Sequence, residues 1–247
     1  VVAEVLASAP EGRDLDQDEV RALLEAYGID LWPAIPVGSV TKAQSAGRKL
    51  GWDVVLKATA QHLQQRPDLA HVWRNIDTPR EMEDAWQTLN ALITDPGNAH
   101  FVVQKQAPPG VPVAITTIED PLFGPVVSFG VSGPLTELLQ DKAFRIPPLA
   151  EQDAAEMIRE IRTSPLLFGY RGAEVVDVAE VERLVRMAAQ LQNDLPQVRS
   201  LDLSLVIAGA QGSTVLSATA RVEPALDQRS DWFVRRLSTM PGDTLPS

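Results

Sequence analysis

Glu137, Asp141 and Arg145, three charged side chains at four-residue intervals, follow a glycine turn and a strand in the stretch DPLFGPVVSFGVSGPLTELLQDKAFRIPPL, residues 120–149. Glycine lets backbone N–H groups come close to a phosphate, and residues at i, i+4 and i+8 share one face of a helix. A helix starting after Pro134 therefore sets two carboxylates and a guanidinium beside an anion-binding turn. That is an arrangement for nucleotide handling rather than for core packing.

The chain that must position these groups has 247 residues, 45% of them hydrophobic and 22% charged, which is ordinary α/β material and enough for one large domain or two lobes. Its formal net charge of −11 and the absence of any basic run argue against a non-specific nucleic-acid binder. With no cysteine, disulfides, thiolate zinc sites and cysteine nucleophiles are excluded. The lack of a signal peptide or a long apolar run points to the cytoplasm, with no membrane partner. The chain opens on VVAEVLASAPEGRDLDQDEV without an initiator Met, and it is expected to be cut from a longer polypeptide, with residues 1–15 a flexible acidic lead-in.

Helices and strands alternate along the chain. Asp16 or Asp18 caps a helix to Tyr27, with Val20, Leu23, Leu24 and Tyr27 on one apolar face and Gly28 closing it. An extended piece at 35–37 leads to a helix over 41–50 ended by Gly51, and then to a buried strand, DVVLK, at 53–57. A Q/R-rich loop at 61–70 precedes a strand at 71–76, and Thr78 caps the helix PREMEDAWQTLNALI. Strands 100–104, 111–118 and 124–130, separated by Pro108-Pro109-Gly110 and by 120–124, read as a meander. Helices at 150–162 and 178–193 precede a hairpin of strands 200–208 and 214–222. The fold class is α+β, with two sheet-bearing lobes and a ligand cleft between them. The lobes are expected at 16–104 and 105–224, with a tail over 225–247 whose DWFVRRL segment, with Trp232, Phe233, Val234 and Leu237 as its apolar face, either packs on its own fold as a terminal helix or docks on another domain.

Phrases that follow one another in order carry a family resemblance: YGIDLWPAIPVGSVTKAQSAGRKLGWDVVLKA, the DPLFGPVV…RIPPL stretch, PLLFGYRG and LDLSLVIAGAQG. Together they resemble the ATP-grasp domain of ADP-forming (NDP-forming) acyl-CoA synthetases, the β-subunit-like domain that is also found fused in GNAT-type bacterial protein lysine acetyltransferases. The resemblance covers about Ala22 to Val222. It implies an ATP-grasp fold with ATP or ADP between the lobes, partnered by CoA-binding, synthetase α-like domains and a GNAT domain in the same polypeptide.

Residue by residue, the resemblance implies a nucleotide site made of Lys57, Gln104, Gly130, Gly133, Glu137 and Asp141. Lys57, at the end of its strand, would neutralise phosphate. Gln104 stands where the family's linker holds adenine, and Glu137 and Asp141 would serve ribose hydroxyls, a magnesium shell or catalytic-loop contacts. Arg145 and Arg171 would take phosphate or carboxylate through bidentate guanidinium contacts. In so acidic a chain each arginine also has the plainer reading of a structural ion pair.

The departures from the family pattern bear on chemistry. The family's phosphoryl-relay loop is replaced by AQHLQQRPDLAHV, with Gln65 at the histidine position, Arg66 at the lysine position and Ala70-His71 for Gly-Gly; neither His62 nor His71 is in register. A glutamine amide is no phosphoryl nucleophile. Asp202 remains of the metal set as a vestigial ligand, while Ser204, Leu205 and Thr219 stand where the family has asparagine, proline and a second aspartate. Pro112 replaces a glutamate, and Ser132 interrupts the glycine turn. Magnesium favours one or two carboxylates together with nucleotide phosphates, so Mg2+ binding should be weakened severely. The expected function is a degenerate ATP-grasp domain, its catalysis weakened or lost, serving structure or regulation and retaining nucleotide binding. Two other readings stand beside it: an active ATP-dependent, ADP-forming acyl-CoA ligase domain, and a non-nucleotide interaction module on the same scaffold.

Overall fold

The computed structural model describes residues 1–58, 72–92, 101–133 and 138–225. Trp32–Pro108 form one compact unit, and Val1–Leu31 with Pro109–Ser247 form the other. Among the described residues no helix is long and apolar enough to cross a membrane.

The chain opens with α1 (Val2–Ser8), a two-residue strand β1 (Arg13–Asp14) and α2 (Gln17–Glu25). The expected flexible lead-in is therefore corrected: Val5 and Leu15 are buried, and β1 pairs antiparallel with the last strand of the larger unit, Arg13 opposite Val222. Asp16 begins α2 with a capping box, its carboxylate accepting from the N–H groups of Asp18 and Glu19 at 3.0 and 2.9 Å while Glu19 accepts from Asp16 N at 2.9 Å. Val20, Leu23 and Leu24 on the apolar face of α2 join the larger unit's core. Residues 16–31 thus pack with the larger unit, which corrects the expected smaller lobe of 16–104.

The smaller unit runs β2 (Ala34–Val37), α3 (Val40–Leu50), β3 (Val54–Ala58), β4 (Val72–Ile76), α4 (Pro79–Leu92) and β5 (Phe101–Lys105). Ser39 caps α3 and Gly51 ends it at φ 79°, as the sequence signals require. The strands pair antiparallel in the order β2-β5-β3-β4. The expected meander is corrected here: β5 lies between β2 and β3, and the Pro108-Pro109-Gly110 turn marks the passage from one unit to the other. Val54, Leu56, Phe101 and Val103 form a core with Ala43, Ala46, Met82, Ala85 and Leu89 of the helices. Strand alternation puts Val55, Lys57 and Gln104 on the opposite face.

The larger unit continues with β6 (Val111–Asp120), β7 (Gly124–Val131), β8 (Lys142–Arg145), α5 (Glu151–Glu160), 3-10 turns at Ser164–Phe168 and Tyr170–Gly172, α6 (Val178–Asp194), β9 (Val198–Gly209) and β10 (Gly212–Val222). Its described sheet has the antiparallel order β1-β10-β9-β6-β7-β8. Val113, Ile115, Val127, Phe129, Ala143, Leu201 and Leu203 pack in one core with Ala154, Met157 and Ile158 of α5 and Val181, Leu184 and Ala188 of α6. A buried polar link ties α6 to β6, Thr117 Oγ1 donating to Gln192 Oε1 at 2.7 Å.

The helix expected to carry Glu137, Asp141 and Arg145 on one face is not what forms over the described part of that segment. After a helical turn at Leu138 and Leu139, Gln140 takes φ 50° and the chain becomes the edge strand β8, with Lys142 opposite Gly130 and Arg145 opposite Val127. The cause is local alternation: Ala143 is buried in the core while Lys142 and Phe144 are exposed, a period of two that a helix does not provide. Glu137 lies outside the described residues, as do Gln65, Arg66, His62, Ala70, His71 and the DWFVRRL tail.

Candidate functional site

Two sheet faces turned away from the helices carry the polar groups. On the smaller sheet Gln104 pairs with Val55, and Lys57 lies two residues further along β3, so that the two side chains are diagonal neighbours on one face. Lys57 Nζ donates a hydrogen bond to Gln104 Oε1. Gln104 is buried and Lys57 half-buried. Burial, with the positive charge of Arg74 adding to it, lowers the Lys57 ammonium to about 8. A cation already stripped of much of its water is suited to an anionic ligand, which restores the lost stabilisation of its charge.

On the larger sheet Asp202 sits in β9 between Thr116 of β6 and Thr219 of β10, in register with both. Thr116 Oγ1 donates to Asp202 Oδ1 at 3.3 Å. Burial pushes the Asp202 carboxyl above its usual range, and the Thr116 hydroxyl and the positive charge of Lys142 act the other way. A Cβ added to Gly130 would meet Lys142 Cγ at 3.2 Å and the Asp141 carbonyl oxygen at 2.9 Å, so the lysine stem lies over the bare glycine. Ala114 faces Gly130 across β6, and Thr116 follows two residues on, so Lys142, Gly130, Thr116 and Asp202 share one side of the sheet. Among the described residues no three His, Cys, Asp or Glu side chains come together as a metal would require.

The remaining residues singled out by the sequence have other surroundings. Asp141 is buried, and its carboxylate accepts from Arg162 N at 2.8 Å, Thr163 N at 2.9 Å and Thr163 Oγ1 at 2.5 Å. Burial opposes its ionisation, but these bonds outweigh burial and hold the carboxyl below the ordinary range. Its oxygens thus serve the turn after α5. Arg145 lies on the helix side of β8, where its guanidinium donates to Glu160 of α5 at 2.6 Å, the plainer of the two readings open to it. Gly133 has φ 146°, which suits glycine, and Ser132 N donates to Pro112 O at 2.8 Å beside it. Arg171 is held at φ 55° between Gly169 and Gly172, exposed, with its guanidinium carbon 5.3 Å from the centroid of the Tyr170 ring. It has no ion pair among the described residues.

Sequence reasoning passed over Lys142 and Thr116. The signal was available in alternation: once KAFR is read as an edge strand, Lys142 and Arg145 fall on opposite faces, and only Lys142 joins the side that carries Asp202.

The profile of the ATP-grasp domain matches residues 6–222. The chain is 30% identical over 228 residues to the acetate–CoA ligase [ADP-forming] II subunit beta of Pyrococcus furiosus, covering 90% of this chain and 95% of that one. It is 29% identical to acetate–CoA ligase [ADP-forming] II of Archaeoglobus fulgidus, of which it covers 31%. Among solved structures it is similar to an acetyl-coenzyme A synthetase from Ca. Korarchaeum cryptofilum in complex with coenzyme A and Ca-AMPCP, with 31% identity, a TM-score of 0.79 and coverage of 90% of this chain and 100% of that one.

Proposed function

The chain belongs to the ATP-grasp family, with an α+β ATP-grasp fold and homology to the beta subunits of ADP-forming acyl-CoA synthetases, and from that premise we propose that it binds adenine nucleotide while its ligase chemistry is weakened or lost. Its role is then structural or regulatory within a larger synthetase-like protein. The observation that carries this reading is the company of Asp202 among the described residues: two threonines in register and a lysine cation nearby, in place of further carboxylates. Such a donor set does not fit Mg2+, which favours carboxylate oxygens and octahedral geometry, and the positive charge of Lys142 acting on Asp202 further disfavours a dication. Substitution of the relay histidine by Gln65 supports the same reading from sequence. Retained nucleotide binding is supported by the desolvated Lys57 ammonium and its Gln104 partner.

The partners that fit are a CoA-binding, synthetase α-like domain and a GNAT-type domain in the same cytoplasmic polypeptide. Nucleic acid is disfavoured by the net charge of −11. The test is titration with ATP and ADP, followed by an assay of acyl-CoA formation with an α-like partner present. Binding without turnover is the expected outcome; Mg2+-dependent ATP consumption coupled to acyl-CoA formation would overturn the reading in favour of an active ligase.

A further inference from the structure

Asp202 poses an electrostatic problem for any phosphate brought to its side of the sheet. A half-buried carboxylate repels a polyphosphate, and the repulsion is strengthened where water is scarce. The relatives' solution is implied by the nucleotide complex that carries Ca-AMPCP, in which a dication accompanies the phosphates. Among the described residues the donor set around Asp202 lacks the oxygens for that. It has a cation of its own instead.

We propose that Lys142, laid across Gly130 on the side of the sheet that carries Asp202, is a phosphate-binding residue that substitutes for the divalent cation, making nucleotide binding by this domain independent of metal. This rests on the proposed nucleotide binding and deepens it by naming the counter-charge. Three features of the fold support it. Gly130 has no side chain, and the space a Cβ would fill is bounded by Lys142 Cγ at 3.2 Å, so the lysine stem has a track over β7. Register places Lys142 on the same side as Thr116 and Asp202, whereas the next cation of the strand, Arg145, is on the other side and paired with Glu160. Lys142 itself is exposed, so its ammonium can meet a ligand from solvent, with no ion pair at bonding distance among the described residues. One lysine carries one positive charge where a dication carries two. The resulting site suits binding and release of nucleotide rather than stabilisation of a phosphoryl-transfer transition state.

The experiment is calorimetric titration of ATP into the whole chain, once with Mg2+ and once with EDTA, for the native protein, Lys142→Gln and Lys142→Arg. The native protein should bind ATP in EDTA within about threefold of its affinity in Mg2+, Lys142→Gln should lose about tenfold or more in EDTA, and Lys142→Arg should retain most of the affinity. Adenosine, which lacks phosphate, should bind the native protein and Lys142→Gln alike. Lys142 is exposed, so the unliganded variants should melt within about 2 °C of the native chain, and Lys142→Arg guards against a folding artefact. ATP binding seen only with Mg2+, or equal affinity in Lys142→Gln, would overturn the inference while leaving nucleotide binding intact. Absence of ATP binding under both conditions would overturn the nucleotide reading itself, and the inference with it.

Discussion

The Lys57 ammonium and the Gln104 carboxamide are joined across a diagonal of the β3–β5 pair, Nζ donating to Oε1, and this contact holds a half-buried cation on the face of the smaller sheet that the helices leave free. Its chemistry makes the first prediction. With the folded Lys57 near 8 and an unfolded lysine near 10.4, the native state binds fewer protons than the unfolded chain between those values. Stability therefore rises from pH about 8 to about 10.4, by roughly 3 kcal/mol at most from this group alone, and is unaffected by it below that window. Urea unfolding of the native chain and of Lys57→Met over that range checks the sign, because the variant should lose this part of the rise.

Nucleotide binding should report the same group in the opposite sense. A phosphate beside Lys57 favours its charged form, so binding at pH 8 should take up a fraction of a proton and affinity should fall as pH rises past about 8. Titrations in buffers of different ionisation enthalpy measure the uptake, and Lys57→Met should abolish it.

Asp141 is expected to matter for stability more than for ligand. Asp141→Ala strands two backbone N–H groups and a threonine hydroxyl, at a cost of roughly 2–4 kcal/mol in denaturant unfolding. Its carboxyl is held below the ordinary range, so the stability it supplies is present above the unfolded aspartate pKa and is lost as pH falls through the lower folded value. Intrinsic nucleotide affinity of the folded variant should stay near that of the native chain.

Gly130→Ala should be more than a conservative change. Its Cβ would approach the Asp141 carbonyl oxygen to 2.9 Å, which only a backbone shift relieves, at roughly 1–3 kcal/mol. The same methyl displaces the Lys142 stem, so ATP affinity in EDTA should fall together with stability.

Arg145→Ala should do little. The Arg145–Glu160 pair is partly exposed and worth at most about 1 kcal/mol, and it lies on the helix side of the sheet. Thermal melts and ATP titrations of the variant should match those of the native chain closely.

The helices and most strands were legible in the chain because their punctuation is strong: Asp16 with Glu19, Ser39 and Gly51 all act where their residue types demand. The stretch after Pro134 was misread because charges at four-residue spacing fit a helix, while the competing signal, the period-two burial of KAFR, is four residues long and is decided by pairing with β7. Likewise β5 follows its neighbours in sequence but pairs within the smaller sheet, a long-range choice that no local pattern encodes. Asp202 and Lys57 were readable as strand residues with a charge to explain. Lys142 was not, since its relation to Asp202 runs through Gly130 and Thr116 on two intervening strands.

A single calorimetric titration of ATP into the chain, with Mg2+, an acyl acid, CoA and a CoA-binding α-like partner all present, reads binding and turnover together. Saturable heats that return to baseline after each injection are the result expected of a nucleotide-binding domain without ligase chemistry. A sustained heat flow, with ADP and acyl-CoA accumulating in the cell, would contradict it.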